Sequence, residues 1–387
     1  MIIKTIPKKG YTEKQAAIVV RYGGADHIHQ LPSGQKVEMP TGIAHFLEHK
    51  MFEDFEVNMF EAFTKHGATV NAYTHFTHTA YYFSAIDNFE ENLQLLFRLI
   101  STPHFTDENV EKEKGIILSE IDMYADNPYW QVYRGLHRGL FVNSPLRQDI
   151  LGTRESVQSI NKSQLYDCYS HFYTTDNMAL ICVGDIPTLD FSDSLDIFGP
   201  SGVSPEHEKE PTEAAELIIE KKMSVAIPLF QLGFKALYDI QADAVTLAAS
   251  SILADMLAGE SSQIYAELYD EGMIDNQFTA EYTGGTYYGI FLFSGASRQP
   301  EAVRDRILST PLDSGRFETI KSKHIGRFIR DMNSISTIST VQADLFTKGQ
   351  NIEDMLDAFH KVSQEDVERQ YSHIRTDNCT LSVIRPS

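Results

Sequence analysis

His45, Glu48 and His49 stand in the stretch TGIAHFLEHKMF (residues 41–52), which reads as a helix with Thr41 as its N-cap. Residues four apart share one helix face, so His45 and His49 can present their imidazoles to a single cation. Glu48 lies on nearly the same face, where its carboxylate can reach a water held beside that cation. The pair suits Zn²⁺, which favours imidazole nitrogen and tetrahedral geometry, and H-x-x-E-H is the inverted order of a zincin helix. A catalytic site also needs a third protein ligand and one open position. A helix whose histidines merely cap or pack is the plain alternative.

The third donor is sought downstream. EKEKGIILSEIDMY (residues 111–124) reads as a helix on which Glu113 and Glu120, seven apart, share a face beside Ile116, Ile117 and Ile121. A carboxylate among apolar side chains is costly unless it meets a cation. Glu120 is therefore the candidate ligand and Glu113 a second carboxylate behind it, while Glu111 and Asp122 read as solvated helix charges. His75 and His78, three apart on a strand, point to opposite faces and read as ordinary strand residues. His27 and His29 sit in a loop context without carboxylate partners, and Tyr129 and Trp130 read as packing.

The elements that must position these residues follow from periodicity. A strand is expected at 16–22 (AAIVVRY), helices at 58–66, 89–100, 108–124, 130–141 and 163–172, strands across 69–86, and a closing strand at 178–184 (MALICVG). YSHFYTTDNMALICV (169–183) returns as YSHIRTDNCTLSVI (371–384), an offset of 202 residues (371 − 169). A repeat at half the chain argues for duplication of a whole domain. The expected fold is α+β: two homologous domains, 1–187 and 216–387, each a mostly antiparallel sheet packed with helices and each ending on an edge-forming strand. They are joined by a proline-bearing acidic linker at 188–215. Only the first half carries the HFLEH helix.

With 387 residues, 42% of them hydrophobic, the chain can bury two cores; its net charge of −21 speaks against phosphate backbones and anionic membranes as partners. Cys168, Cys182 and Cys379 form no close pair, so free thiols in a reducing compartment are expected. The start, MIIKTIPKKG, lacks the apolar core of a signal peptide, and no run is long enough to span a membrane, so a cytoplasmic protein is expected.

TGIAHFLEHKMF, GATVNAYTHFTHTAYYF and EKEKGIILSEIDMY, in that order and spacing, resemble the pitrilysin/insulinase family of zinc peptidases, which includes the mitochondrial processing peptidases. The nearest likeness is to the processing-peptidase-like members of Gram-positive bacteria. The resemblance spans essentially the whole chain. It implies one Zn²⁺ per chain held by His45, His49 and Glu120, Glu48 as general base and Glu113 in support. It also implies that substrate adds as a strand along residues 67–74, with Asn71 and Ala72 nearest the scissile bond and Tyr73 and Thr74 beside them. An ordinary core strand is the alternative for that stretch. The expected activity is zinc-assisted hydrolysis of peptides or small unfolded proteins; the rival from another class is a non-catalytic structural subunit.

The sequence departs from the family in its second half. Complete members carry an Arg, and a Tyr seven residues later, that contact the substrate carbonyl; here Tyr269 and Asn276 stand in those places. The resemblance therefore implies pairing with a paralogous subunit that supplies the Arg and Tyr; the alternative is that Tyr269 or a nearby hydroxyl substitutes and the chain works alone or as a homodimer.

Overall fold

The apolar run expected at 16–22 forms β2 (Lys14–Val20), and alternation along it divides its side chains between two buried faces. In the computed structural model, which describes residues 1–54, 56, 58–186, 203–205, 208–238 and 241–387, β2 is the central strand of a five-stranded sheet. The others are β1 (Ile2–Pro7), β5 (Ala68–Thr74), β6 (Thr79–Ala85) and β7 (Met178–Gly184), in the order β1–β7–β2–β6–β5. A small sheet joins β3 (Ile28–Gln30) to β4 (Lys36–Glu38) and to β8 (Ser204–Pro205). The second large sheet has β9 (Ile218–Met223), β10 (Leu229–Leu237), β11 (Thr279–Gly284), β12 (Tyr288–Ala296) and β13 (Cys379–Pro386), in the order β11–β12–β10–β13–β9.

Both five-stranded sheets place their strands identically by chain order: first, last, second, fourth, third. Each has one parallel pairing, β1 with β7 and β9 with β13, and is otherwise antiparallel. The duplication seen in the Tyr-Ser-His repeat thus extends to the whole topology. The closing strands are not edges, as the sequence suggested, because β1 and β9 pair outside them. Residues 2–7 were obscured by Pro7, which an edge strand tolerates at its end.

One face of the first sheet carries α1 (Ile43–Lys50), α2 (Met59–Lys65) and α3 (Phe89–Ser101), whose apolar sides share a core with α4 (Asp107–Ala125), α6 (Arg154–Ser159) and α7 (Lys162–Phe172). The chain divides into two compact units that interleave along the sequence. One comprises Met1–Ile121, Gln148–His207 and Asp331–Thr347; the other comprises Asp122–Arg147, Glu208–Arg330 and Lys348–Ser387. In the first unit the helix Ile335–Thr347, from late in the chain, packs on β2 and β7. There the Arg21 guanidinium lies 4.0 Å from the centre of the Phe346 ring and donates to the Phe346 carbonyl at 3.0 Å. In the second unit α5 (Pro128–Leu140), from early in the chain, packs on β9, β10 and β13. Gly139 permits that approach: a Cβ there would stand 2.4 Å from Thr380 Cγ2. The division expected at 1–187 and 216–387 follows the repeat, whereas these units exchange a helix across it. Most of the expected linker, 188–215, lies outside the described residues.

Candidate metal centre

The helix expected from Thr41 onward begins at Ile43, with Gly42 as its N-cap in the left-handed region at φ 86°. Any side chain at Gly42 would press on the Leu151 carbonyl, 2.4 Å from the Cβ position. Thr41 caps nothing; its carbonyl accepts from Ser156 Oγ at 2.8 Å, and its hydroxyl donates to the same oxygen at 3.0 Å. The start of α1 is thus pinned by a tight backbone contact to the turn at Leu151 and Gly152 and by the Ser156 hydroxyl of α6, rather than by a hydroxyl cap of its own. Its other end is tied to α4 by Lys50, whose fully buried ammonium donates to the Asn109 carbonyl at 3.2 Å and pairs with Glu53 at 2.6 Å.

Between these anchors His45 and His49 stack edge to face, ring centres 4.6 Å apart. Both turn Nε2 toward one oxygen of Glu120 on α4, at 3.7 Å from His45 and 3.6 Å from His49. Those separations are too long for hydrogen bonds. Donors arranged tetrahedrally about an ion at about 2.0–2.1 Å lie roughly 3.3 Å apart, close to what is seen. Among the described residues, His45, His49 and Glu120 form the one group of three donors placed to hold a metal ion. The opposite nitrogen of His49, Nδ1, lies 2.9 Å from Glu113 Oε1. That bond fixes the ring and leaves Nε2 as a lone-pair donor.

The electrostatics describe a place that favours a cation. Burial, helped by His49, lowers His45 to about 3, so its imidazole is neutral. Burial also raises Glu120, with Glu113 and Asp149 adding to it and His49 opposing. Glu48 is raised as well, first by burial and further by Glu120, against the Thr74 hydroxyl and His49. Burial alone would lower His49, but its bond to Glu113 and the charges of Glu48, Glu113 and Glu120 carry it above its ordinary value. Carboxylates that resist ionisation beside a neutral imidazole are relieved by a positive ion. The residues fit a zinc ion.

Glu48 is buried beside this group, and its Oε2 accepts from Thr74 Oγ1 at 2.8 Å. A cavity of about 1020 Å³ opens onto Glu48, His49, Glu113 and Asn71, with Phe52 and Phe60 stacked at 4.6 Å in its wall. Among the described residues β5, the stretch named for substrate, is an edge strand, so Asn71, Ala72, Tyr73 and Thr74 lie along an open rim. His75 N–H donates to His78 O at 2.7 Å in the turn after β5. Counting back along the β5–β6 register, Thr74, Ala72 and Val70 turn their main-chain groups outward. Ala72 N–H accordingly meets no strand and donates to Asn71 Oδ1 at 2.9 Å. Tyr73 sits on the opposite side chain face, with His78 Nε2 3.4 Å from its hydroxyl.

His75 and His78 lie in the turn between β5 and β6 rather than on a strand, which brings their rings 5.3 Å apart, and among the described residues they belong to no group of three metal donors. Buried His29 lies 3.0 Å from His171, a pairing across 142 residues of chain that no spacing signals. In the second unit, Tyr269 is half exposed on the helix Gln263–Asp270, stacked with Tyr265, and Asn276 is exposed. The Thr74–Glu48 bond joins residues that no spacing links; its one sequence signal is the hydroxyl that ends the NAYT stretch. The three cysteines are free and buried, and no described helix is long and apolar enough to cross a membrane.

Residues 32–154 match the family described as insulinase (peptidase family M16), and residues 159–310 match the peptidase M16 inactive domain. The uncharacterized zinc protease YmfH of Bacillus subtilis is 34% identical over 402 residues, covering 99% of this chain and 94% of that protein. The crystal structure of an M16-like peptidase from Alicyclobacillus acidocaldarius superposes with a TM-score of 0.92 at 33% identity, over 100% of this chain and 96% of that one. The beta subunit of the mitochondrial-processing peptidase of Dictyostelium discoideum is 29% identical over 152 residues, 38% of this chain and 32% of that one. With the fold, the inverted histidine motif and near-complete coverage in agreement, this chain belongs to the insulinase family of peptidases, family M16.

Proposed function

We propose that this chain is a zinc-dependent endopeptidase subunit that hydrolyses peptides or small unfolded proteins bound as an added strand on β5. The observation that carries the reading is the convergence of two imidazole Nε2 atoms on one Glu120 oxygen with the Glu48 carboxylate beside them. His45, His49 and Glu120 would hold the zinc ion, and Glu113 would keep the His49 ring aligned. Zinc, when bound, acidifies a water and polarises a carbonyl oxygen. Glu48 accepts the proton of the attacking water and returns it to the leaving amine; its buried, raised carboxyl is suited to both transfers. The outward main-chain groups of Val70, Ala72 and Thr74 align an extended peptide without demanding a particular sequence.

Tyr269 and Asn276 offer no guanidinium for the developing oxyanion, and one lost donor of that kind costs roughly 100- to 1000-fold in rate. A paralogous subunit that supplies an Arg and a Tyr completes the site in this reading. That the mitochondrial relative is itself named a subunit supports pairing. A cytoplasmic location is part of the same reading.

The test is hydrolysis of an unstructured basic peptide by the zinc-loaded chain, alone and mixed with candidate paralogues, with a chelator control. Chelator-sensitive turnover that rises sharply on mixing supports the whole reading. Robust turnover by the chain alone removes the partner. Turnover that survives complete zinc removal removes the mechanism.

A further inference from the structure

The Thr74 residue belongs at once to the strand rim and to the buried carboxylate. Its main-chain N–H and C=O turn outward from β5, while its hydroxyl donates inward to Glu48 Oε2 at 2.8 Å. Behind it Thr79, its cross-strand neighbour, gives its own proton to the buried Tyr22 carbonyl at 2.8 Å and stands 3.4 Å from Thr74 Oγ1. With the Thr79 proton used on Tyr22, the Thr74 hydroxyl is left to donate, and an ionised Glu48 can only accept. The carboxylate is therefore oriented from the strand rather than by its own helix. A β-branched residue is stiff about χ1, so the hydroxyl direction is set by the backbone of β5.

We propose that Thr74 is a positioning residue that couples docking of a peptide strand at the β5 rim to the orientation of the Glu48 carboxylate. The inference rests on the peptidase reading and adds to it. A peptide pairing with Val70, Ala72 and Thr74 fixes the backbone of Thr74, and with it the hydroxyl that aims Glu48. Before pairing, Ala72 N–H is held by the Asn71 side chain, which an incoming carbonyl replaces. Peptide alignment and proton transfer are thus served by one residue that is not among the three metal donors.

The test compares zinc-loaded wild-type chain, Thr74→Val and Thr74→Ser at matched zinc content. High-resolution structures of each locate the Glu48 carboxylate, and steady-state hydrolysis of a fluorogenic peptide is measured with whichever partner the wild type needs. Thr74→Val is expected to keep zinc and KM, lower kcat by about 10- to 100-fold, and let the Glu48 carboxylate rotate away. Thr74→Ser restores both; should valine not be tolerated, alanine at the same position carries the comparison. An unchanged Glu48 orientation, or an unchanged kcat, in a Thr74 variant lacking the hydroxyl overturns the inference. If the zinc-loaded wild type cleaves nothing under any pairing, the peptidase reading falls, and the Glu48 orientation alone then decides the positioning role.

Discussion

The His49 ring is held by Glu113, Nδ1 to Oε1 at 2.9 Å, while its other nitrogen faces Glu120. Glu113 would therefore act on the metal through the histidine without touching it. Glu113→Gln keeps the size of the side chain but loses its charge. Zinc affinity is expected to fall by about 10- to 100-fold, measured by chelator competition on the folded chain. An unchanged affinity would leave Glu113 as a purely structural carboxylate.

Glu48→Gln separates binding from chemistry. Glu48 is not among the three donors, so the variant should bind one equivalent of zinc with wild-type affinity. Peptide hydrolysis should drop by roughly 100- to 10,000-fold, the span that general base catalysis contributes. Metal content by mass spectrometry and turnover on the same sample check both halves; full activity would remove Glu48 from the mechanism.

A half-chain ending at residue 187 should not fold stably. Without the helix Ile335–Thr347, the apolar face of β2 bearing Ala17 and Val19 and the side chain of Arg21 lose their cover. Residues 1–187 alone are expected to aggregate or to give a poorly dispersed amide NMR spectrum. Supplying residues 331–347 in fusion should rescue them once residues 122–147, whose helix α5 loses its own cover from β9, β10 and β13, are replaced by a short linker. A well-dispersed spectrum from the bare half would show that the exchanged helix is dispensable.

Asp26 gives stability a pH dependence of its own. Burial, against the Gly23 N–H that donates to it at 2.8 Å, pushes its carboxyl up to about 7 from an ordinary 3.8. The folded chain thus retains a proton there that the unfolded chain has released between those values. This contribution to stability is complete below about pH 4 and is lost as pH rises through about 7. Asp26→Asn keeps an acceptor for Gly23 and should flatten the decline in Tm between about pH 4 and pH 7. Parallel Tm profiles for the two proteins would contradict it.

The histidine pair and the seven-residue spacing of Glu113 and Glu120 were legible because helical periodicity alone puts such residues on one face. The doubled fold was legible because Tyr-Ser-His and Thr-Asp-Asn recur before two apolar strands. What escaped depends on the third dimension. An amphipathic helix announces that it covers something but not which sheet, so the exchange of α5 and of Ile335–Thr347 left no trace in the pattern. The bond from Thr74 to Glu48 joins residues 26 apart and exists only once β5 lies against α1. Thr41 was the natural cap by residue type, yet the crowding of Leu151 gives that place to Gly42.

The open side of β5 also governs how the protein behaves in company with itself. An unpaired strand rim is a template on which copies of a chain can stack. Here the rim is seven residues long, and the Asn71 side chain bends back over the Ala72 N–H. That fold-back removes one open donor from self-pairing and leaves the outward groups of Val70 and Thr74 along the rim. Colloidal stability is thereby tied to the very strand that a peptide would use, and replacing Asn71 would put solubility at stake along with recognition.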